Sequence, residues 1–253
     1  LTVEREVGFN TTVEVGYVGR VGLFLERERD INQLPTGTLY KTENRGINAD
    51  VLRPYKGFAI IALGEMAARS EYNRLQLEVR RRYSHGFGYG FTYTFSKSLD
   101  NGSGRRERPF DSYNDKSYWG PSGFDTRHMV AINAIYDVPF LRGRNDLAGK
   151  LLGGWLVTAV TQFQTGTPVS VGTSDDFAGI GRSDAVPWNV SGETKLSRGE
   201  RKFSTSPADS NFWFRTKNPD GSAIFTAPAS GTWANQTKNS LPFYNVGWQN
   251  WNL

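Results

Sequence analysis

The chain has 253 residues, 38% hydrophobic and 13% aromatic; its mean hydropathy of −0.51 and its lack of any run of ~20 apolar residues exclude a membrane-spanning helix but not a spanning strand of about 10 residues. The formal charge of +5 reads as a mildly basic solvated surface and not as a nucleic-acid interface. The absence of cysteine excludes a disulfide framework or thiolate metal site and favours an exported chain.

Apolar and polar residues alternate with a period of two from the start, the mark of a strand. Over residues 1–7, Leu1, Val3 and Val7 alternate with Thr2, Glu4 and Glu6. A tight turn at 8–10 leads to a second strand, 11–19. There Val13, Val15 and Tyr17 oppose Thr12, Glu14 and Gly16. A long excursion, 20–71, follows. Inside it, 58–63 (Phe-Ala-Ile-Ile-Ala-Leu) reads as the outer part of the next strand or as a ribbon above a membrane. The third strand, 72–83, sets Leu75, Leu77, Val79 and Tyr83 against Arg74, Gln76, Glu78, Arg80 and Arg82. A turn at 84–86 opens the fourth, 87–98. Phe87, Tyr89, Phe91, Tyr93 and Phe95 hold every second position, with Gly88, Gly90, Thr92, Thr94 and Ser96 between them. After a loop at 99–126 comes a fifth strand, 128–138, built on Val130, Ile132, Ala134 and Tyr136. A moderate connection at 141–150 leads to a sixth, 154–172. Here Trp155, Val157, Ala159 and Phe163 alternate with Thr158, Gln162 and Gln164. A loop at 174–241, rich in Ser, Asn, Thr, Pro and Gly, precedes the start of a further strand at 248–253.

Short and long connections alternate, as they do between the brief periplasmic turns and extended outer loops of an outer-membrane barrel. The sequence therefore predicts an all-β antiparallel meander. It would form part of a large transmembrane β-barrel, seen as an open curved sheet with long outer loops. Val13, Val15, Tyr17, Leu75, Leu77, Val79, Tyr89, Phe91, Tyr93, Phe95, Val157 and Phe163 would face lipid. Arg74, Gln76, Glu78, Arg80, Arg82, Thr92, Thr94, Thr158 and Gln162 would face the lumen. Tyr83, Phe87, Phe140 and Trp155, with Phe9, fall beside the shorter turns and would form one interfacial girdle. Arg81 is on the lipid side but near a turn, where its charge can reach headgroups. The competing reading is a soluble β-sandwich or barrel with an aromatic core.

Catalytic motifs are lacking. His85 sits in a turn and His128 at a strand start, where, with Asp125 and Arg127, it suits a hydrogen-bonded anchor for the incoming loop. Residues 120–123 (Gly-Pro-Ser-Gly) fail the spacing of a nucleophile elbow, and alternation runs through the glycines of 86–90, unlike a dinucleotide fingerprint. Asp175 with Asp176, or Asp111 with Asp115, could hold calcium, but solvated loop acids are the favoured reading; no cofactor or resident metal is expected. Loop aromatics are the candidate ligand grip: Tyr118, Trp119, Trp213 and Trp233 first, then Tyr113, Trp188, Phe212 and Phe214. For most of them, folding the loops onto one another is the favoured role.

Several stretches together resemble the barrel of TonB-dependent outer-membrane receptors. The likeness is to the Oar-like branch, which carries a carboxypeptidase-regulatory-like domain. They are 75–83 (Leu-Gln-Leu-Glu-Val-Arg-Arg-Arg-Tyr), 93–100 (Tyr-Thr-Phe-Ser-Lys-Ser-Leu-Asp), 124–128 (Phe-Asp-Thr-Arg-His), Gly153-Gly154-Trp155 and 164–168 (Gln-Thr-Gly-Thr-Pro). Thr165 stands where that group usually has Ser. The resemblance implies a barrel of about 22 strands with a plugged lumen, of which this chain supplies six or a little more, so the sequence reads as a piece of a longer one. It also implies partners: outer-membrane lipid and lipopolysaccharide, the protein's own plug, the energy-coupling protein TonB, and an unknown small-molecule, peptide or glycan ligand. The implied function is ligand uptake across the outer membrane of a Gram-negative bacterium, without covalent chemistry. Two alternatives remain open: a structural or adhesion barrel that transports nothing, and a soluble carbohydrate-binding or glycosidase β-domain.

Overall fold

Two tight turns set the register of the sheet. Phe9 and Asn10 both have positive φ (52° and 55°), as do His85 and Gly86 (51° and 80°). Two consecutive left-handed residues make the turn whose twist matches that of paired strands. The structure, a computed structural model, describes residues 1–140, 143, 146–182, 186–201 and 213–252. β1 (Thr2–Gly8) and β2 (Thr11–Asp30) flank the first turn, and β3 (Ala62–Ser84) and β4 (Phe87–Asp100) the second. Then come β5 (Gly120–Pro121), β6 (His128–Asp137), β7 (Leu156–Gln164), β8 (Gly172–Thr173), β9 (Val186–Pro187), β10 (Asn189–Val190), β11 (Phe225–Thr226) and β12 (Trp248–Asn252). Two short helices, α1 (Ala49–Leu52) and α2 (Leu147–Leu152), are capped by the side chains of Asn48 and Asp146.

The fold is all-β and antiparallel. One open sheet runs β1-β2-β3-β4-β6-β7-β12, with β5 paired beside the outer end of β4. β8–β9 and β10–β11 are separate two-stranded ladders within the last long loop. No helix among the described residues is long and apolar enough to cross a membrane, which says nothing of strands.

The structure moves several sequence-based boundaries. The second and third strands are far longer than 11–19 and 72–83, so the excursion over 20–71 shrinks to a loop at 31–61. A register shift between Gly22 and Leu25 breaks the period of two and hides the continuation. Beyond it, the charged run 26–29 looks like loop in sequence. It is held in the ladder by Arg27 and Arg29, both paired to Glu65 on β3 (3.0 and 2.8 Å). Of the stretch 58–63, only Ala62 and Leu63 enter β3; Ile61 instead accepts from Ile31 N–H (3.0 Å). β4 continues to Asp100, into what the sequence reads as loop. The sixth strand is trimmed from 154–172 to β7. Gly154 turns at positive φ (74°) before it. After it, Gly166 leaves no room for a side chain, its Cβ position lying 2.2 Å from the Asn245 carbonyl oxygen. The 174–241 loop carries short ladders of its own. β12 pairs with β7 from Trp248 to Asn252; Leu253 lies outside the described residues.

The hydrophobic core is not on the sheet. Leu34, Tyr118, Ala178, Ile180, Val186, Ile224, Leu241 and Phe243 are buried, and all come from the long connections. Ala68, on the outer part of β3, is the sheet's one contribution among the described residues. These loops gather into a cap at the end of the sheet away from the tight turns.

Candidate functional site

Directly paired residues point the same way, so register assigns the faces. Val15, Leu77, Tyr93, Val130 and Phe163 form one row across β2, β3, β4, β6 and β7. Val13, Val79, Phe91 and Ile132 form the row nearer the turns, and Tyr17, Leu75 and Phe95 the row nearer the cap. Tyr89 pairs with Ala134, and Val157 with Tyr136, on the same side. Every apolar position assigned to lipid from sequence thus shares one face. Trp251 joins it from β12, edge-on to Phe163 (centroids 5.3 Å apart). Thr161, buried between Ile132 and Trp251 in the ladder, is a polar member the alternation did not flag.

No second layer among the described residues covers this face. Val15, Tyr17, Leu75, Phe95 and Val157 are exposed, and Leu77, Tyr89, Phe91 and Tyr93 are half-buried by their neighbours in the sheet alone. A continuous uncovered aromatic and aliphatic surface of this extent does not persist in water. On β4 it runs from Phe87 to Phe95, about the length a tilted strand needs to cross hydrocarbon.

Aromatics mark both ends of the belt. At the turn end, Phe9, Tyr83, Phe140 and Trp155 are exposed, and Phe87 packs edge-on to Tyr136 (6.0 Å). The Arg81 guanidinium lies 5.5 Å from the Phe87 ring. At the cap end, Tyr17 donates to Asn73 Oδ1 (2.6 Å), and Tyr93 Oη meets His128 Nδ1 (2.8 Å) with the rings stacked. Lys97, paired with Asn73 just beyond, is exposed.

The opposite face carries Arg74, Gln76, Glu78, Arg80, Thr92, Thr94, Thr158 and Gln162. Arg82 falls in the register shift before Ser84, its N–H reaching the Asn10 carbonyl (2.9 Å), so the ladder does not fix its face. Glu4, Glu14 and Glu78 lie side by side across three strands. Like charges directly opposed are unfavourable; the Arg80 ion pair with Glu78 offsets part of this. The glycines of β4 make room for neighbours. A Cβ on Gly90 would sit 2.5 Å from Asn133 Oδ1, and one on Gly88 3.0 Å from Tyr83 Cα. Near β6 and β7 this face is less polar, with Met129, Ala131, Ile135 and Val160.

Buried polar ties fasten the cap to the sheet. Asp125 accepts from Ser98 N–H (2.6 Å) and from the Tyr244 hydroxyl (2.8 Å), and pairs with Arg127 (3.1 Å). His128 N–H donates to Thr165 Oγ1 (3.1 Å). The 124–128 stretch thus joins β4, β6 and the chain before β12. Lys238, 4% exposed, meets Asp100 (2.6 Å), Glu107 (2.7 Å) and Ser103 Oγ (2.7 Å). Arg27, fully buried, pairs with both Glu65 and Asp115 (2.7 Å). Arg53 donates to the Asn32 carbonyl (2.8 Å) and to that of Gly181. None of Lys238, Arg27 and Arg53 stood out in sequence. Single cations in polar stretches carry no periodic signal.

The four leading loop aromatics are not gathered into one site. Tyr118 is buried against Phe110 (4.6 Å), its hydroxyl donating to Glu107 (2.9 Å). Burial, then the Glu107 charge, drives its phenol well above the usual tyrosine range. Trp119 faces Arg69 (5.6 Å), Trp213 stacks under Arg201 (4.5 Å) and donates to the Tyr244 carbonyl, and Trp233 donates to Thr36 Oγ1 (3.0 Å). Phe214 stacks on Phe243 (4.6 Å). Trp213, Trp233 and Phe214 tie loop segments together, Tyr118 packs within its own loop and Trp119 meets β3, so the rings are spread through the cap. Phe212 lies outside the described residues. The loop acids cap turns: Asp176 accepts from Ile180 and Gly181 N–H (3.0 and 2.7 Å), and Asp111 from Tyr113 N–H (2.9 Å). Among the described residues, no three His, Asp or Glu are placed to hold a metal ion.

A family model described as an outer membrane beta barrel domain matches residues 1–253. No curated protein and no solved structure matches the chain.

Proposed function

The chain belongs to the outer membrane beta-barrel domain family, and from that premise we propose that it is wall and outer cap of a TonB-dependent receptor that takes up a ligand across the outer membrane. Membership places the protein in the outer membrane of a Gram-negative bacterium. With the uncovered belt, it sets aside the soluble carbohydrate-binding or glycosidase reading.

The observation that carries the proposal is the two-faced wall. In this reading the belt from Val13 to Phe163 faces lipid and the two aromatic levels sit at its interfaces. Lys97, beyond the outer level, meets lipopolysaccharide headgroups. The Glu–Arg–Gln–Thr face looks into the lumen and onto the protein's own plug. TonB would act through that plug, and the motifs at 75–83, 93–100, 124–128 and 164–168 are the grounds for naming this receptor class.

A non-transporting structural or adhesion barrel is the second reading. The cap favours it in one respect: its buried ties at Lys238, Arg27 and Arg53 suit a fixed outer platform. Uptake in cells carrying the full gene separates the two. Energy-dependent accumulation of a ligand, lost when the segment that contacts TonB is deleted, is the expected result. Accumulation that is absent, or indifferent to that deletion, would leave the scaffold.

A further inference from the structure

A polar recess of about 550 Å³ opens beside the outer part of the β2–β3 ribbon, lined by Arg29, Ser112, Tyr113, Asn114, Asp115 and Lys116. Small-ligand sites occupy ~300–1,000 Å³. One wall is an aromatic ring held at both ends. The Tyr113 hydroxyl donates to the Gln33 carbonyl (2.6 Å) and its N–H to Asp111 (2.9 Å), yet the residue is 62% exposed. A ring already immobilised loses little freedom when something stacks on it.

The polar groups are mixed in sign and only partly satisfied. Asp115, half-exposed, pairs with Arg27 through one oxygen, and Arg29, 40% exposed, pairs with Glu65. Ser112 is 6% exposed, and its Oγ has no hydrogen-bond partner among the described residues. The same holds for Nε2 of fully buried Gln33, whose Oε1 accepts from Ser112 N–H (3.1 Å). Both atoms are closed off from solvent, so the polar groups that a ligand in the recess can reach are the exposed side chains of Asn114, Asp115 and Lys116. Around the recess, Arg27, Arg29 and Lys116 are set against Asp30, Glu65, Asp111 and Asp115. There is no positive surplus to hold an anion, and the half-exposed carboxylate is already paired, which disfavours a cation. A neutral ligand with hydroxyls that both donate and accept, and an apolar face for the ring, fits this set.

We propose that the recess binds a neutral saccharide, its C–H face on Tyr113 and its hydroxyls toward Asp115 and Asn114. Its place in uptake rests on the receptor reading above; binding itself does not. The test is calorimetric titration of the detergent-purified full-length protein with maltose, lactose and chitobiose, and with a neutral tripeptide. At least one sugar should bind saturably, with affinity reduced about tenfold or more in Tyr113→Ala. Asn114→Trp, which fills the recess at an exposed position, should abolish binding while the heat-modifiable folded band stays intact. Tyr40→Ala, at an exposed tyrosine elsewhere, should bind as wild type. Binding of no sugar, equal binding by both recess variants, or binding of the peptide alone would each overturn the proposal. Sugar binding without energised uptake would condemn the transport reading and leave this one standing.

Discussion

Phe91 and Thr92 are neighbours in sequence and lie on opposite faces of the sheet. Phe91 sits mid-height in the apolar row between Val79 and Ile132, and Thr92 in the polar row between Glu78 and Ala131. Arginine at the lipid midplane of a barrel costs about 2–4 kcal/mol. On the other face it would stand beside Glu78. In the full-length protein, Phe91→Arg should therefore reduce the heat-modifiable folded fraction severely, with Thr92→Arg close to wild type. Equal loss in both would reverse or erase the facing. At this scale the sequence was highly legible. Strict alternation from Phe87 to Phe95 leaves two choices, and the glycines and threonines mark the side that is not greasy. What it could not show is why Gly90 must be glycine: the Asn133 side chain lies across it, and that contact joins strands distant in sequence.

The outer loops are held as an element by charges that leave water together. Lys238 neutralises Asp100, 1% exposed, and Glu107. Removing one partner of a buried pair leaves the other uncompensated, at about 3–5 kcal/mol. Lys238→Met should make the outer loops of intact cells sensitive to trypsin without lowering the amount of folded barrel; Lys238→Met with Asp100→Asn should recover part of the resistance. Tyr118, beneath the same lysine (5.1 Å to the ring), adds a pH dependence. Its folded-state pKa is raised by burial and by Glu107. The unfolded phenol releases its proton near pH ~10, whereas the folded one keeps it. This contribution is therefore complete below pH ~10 and lost as pH rises beyond it. Hydrogen exchange in the cap should accelerate above that pH in wild type, and less steeply in Tyr118→Phe. The reach of β2 and β3 beyond the belt was not legible, because the bulge at 22–25 shifts the phase of the alternation and the charged run after it imitates a loop.

As a whole molecule the sheet has an uncovered apolar face and two open edges, β1 and β12, each paired on one side only among the described residues. Exposed strand edges and large apolar patches drive association. The full-length protein should sediment with the outer membrane and come into solution only with detergent. Residues 1–253 made alone in water should aggregate. A monodisperse, detergent-free sheet of these residues would contradict the membrane assignment of the belt.

The sequence by itself determined the architecture of the wall. An all-β antiparallel meander, its two faces, the tight-turn end and the aromatic level beside it follow from a period-two pattern that each strand carries locally. Only the tertiary structure decided the cap. Which loop aromatic meets which cation, that Lys238 seeks Asp100, and that Tyr113 alone of the described candidates keeps an exposed ring over a recess depend on contacts between segments up to ~200 residues apart. Strand patterning repeats every second residue and can be read one strand at a time. Loop packing has no period, and its partners are set by where the strands deliver the chain.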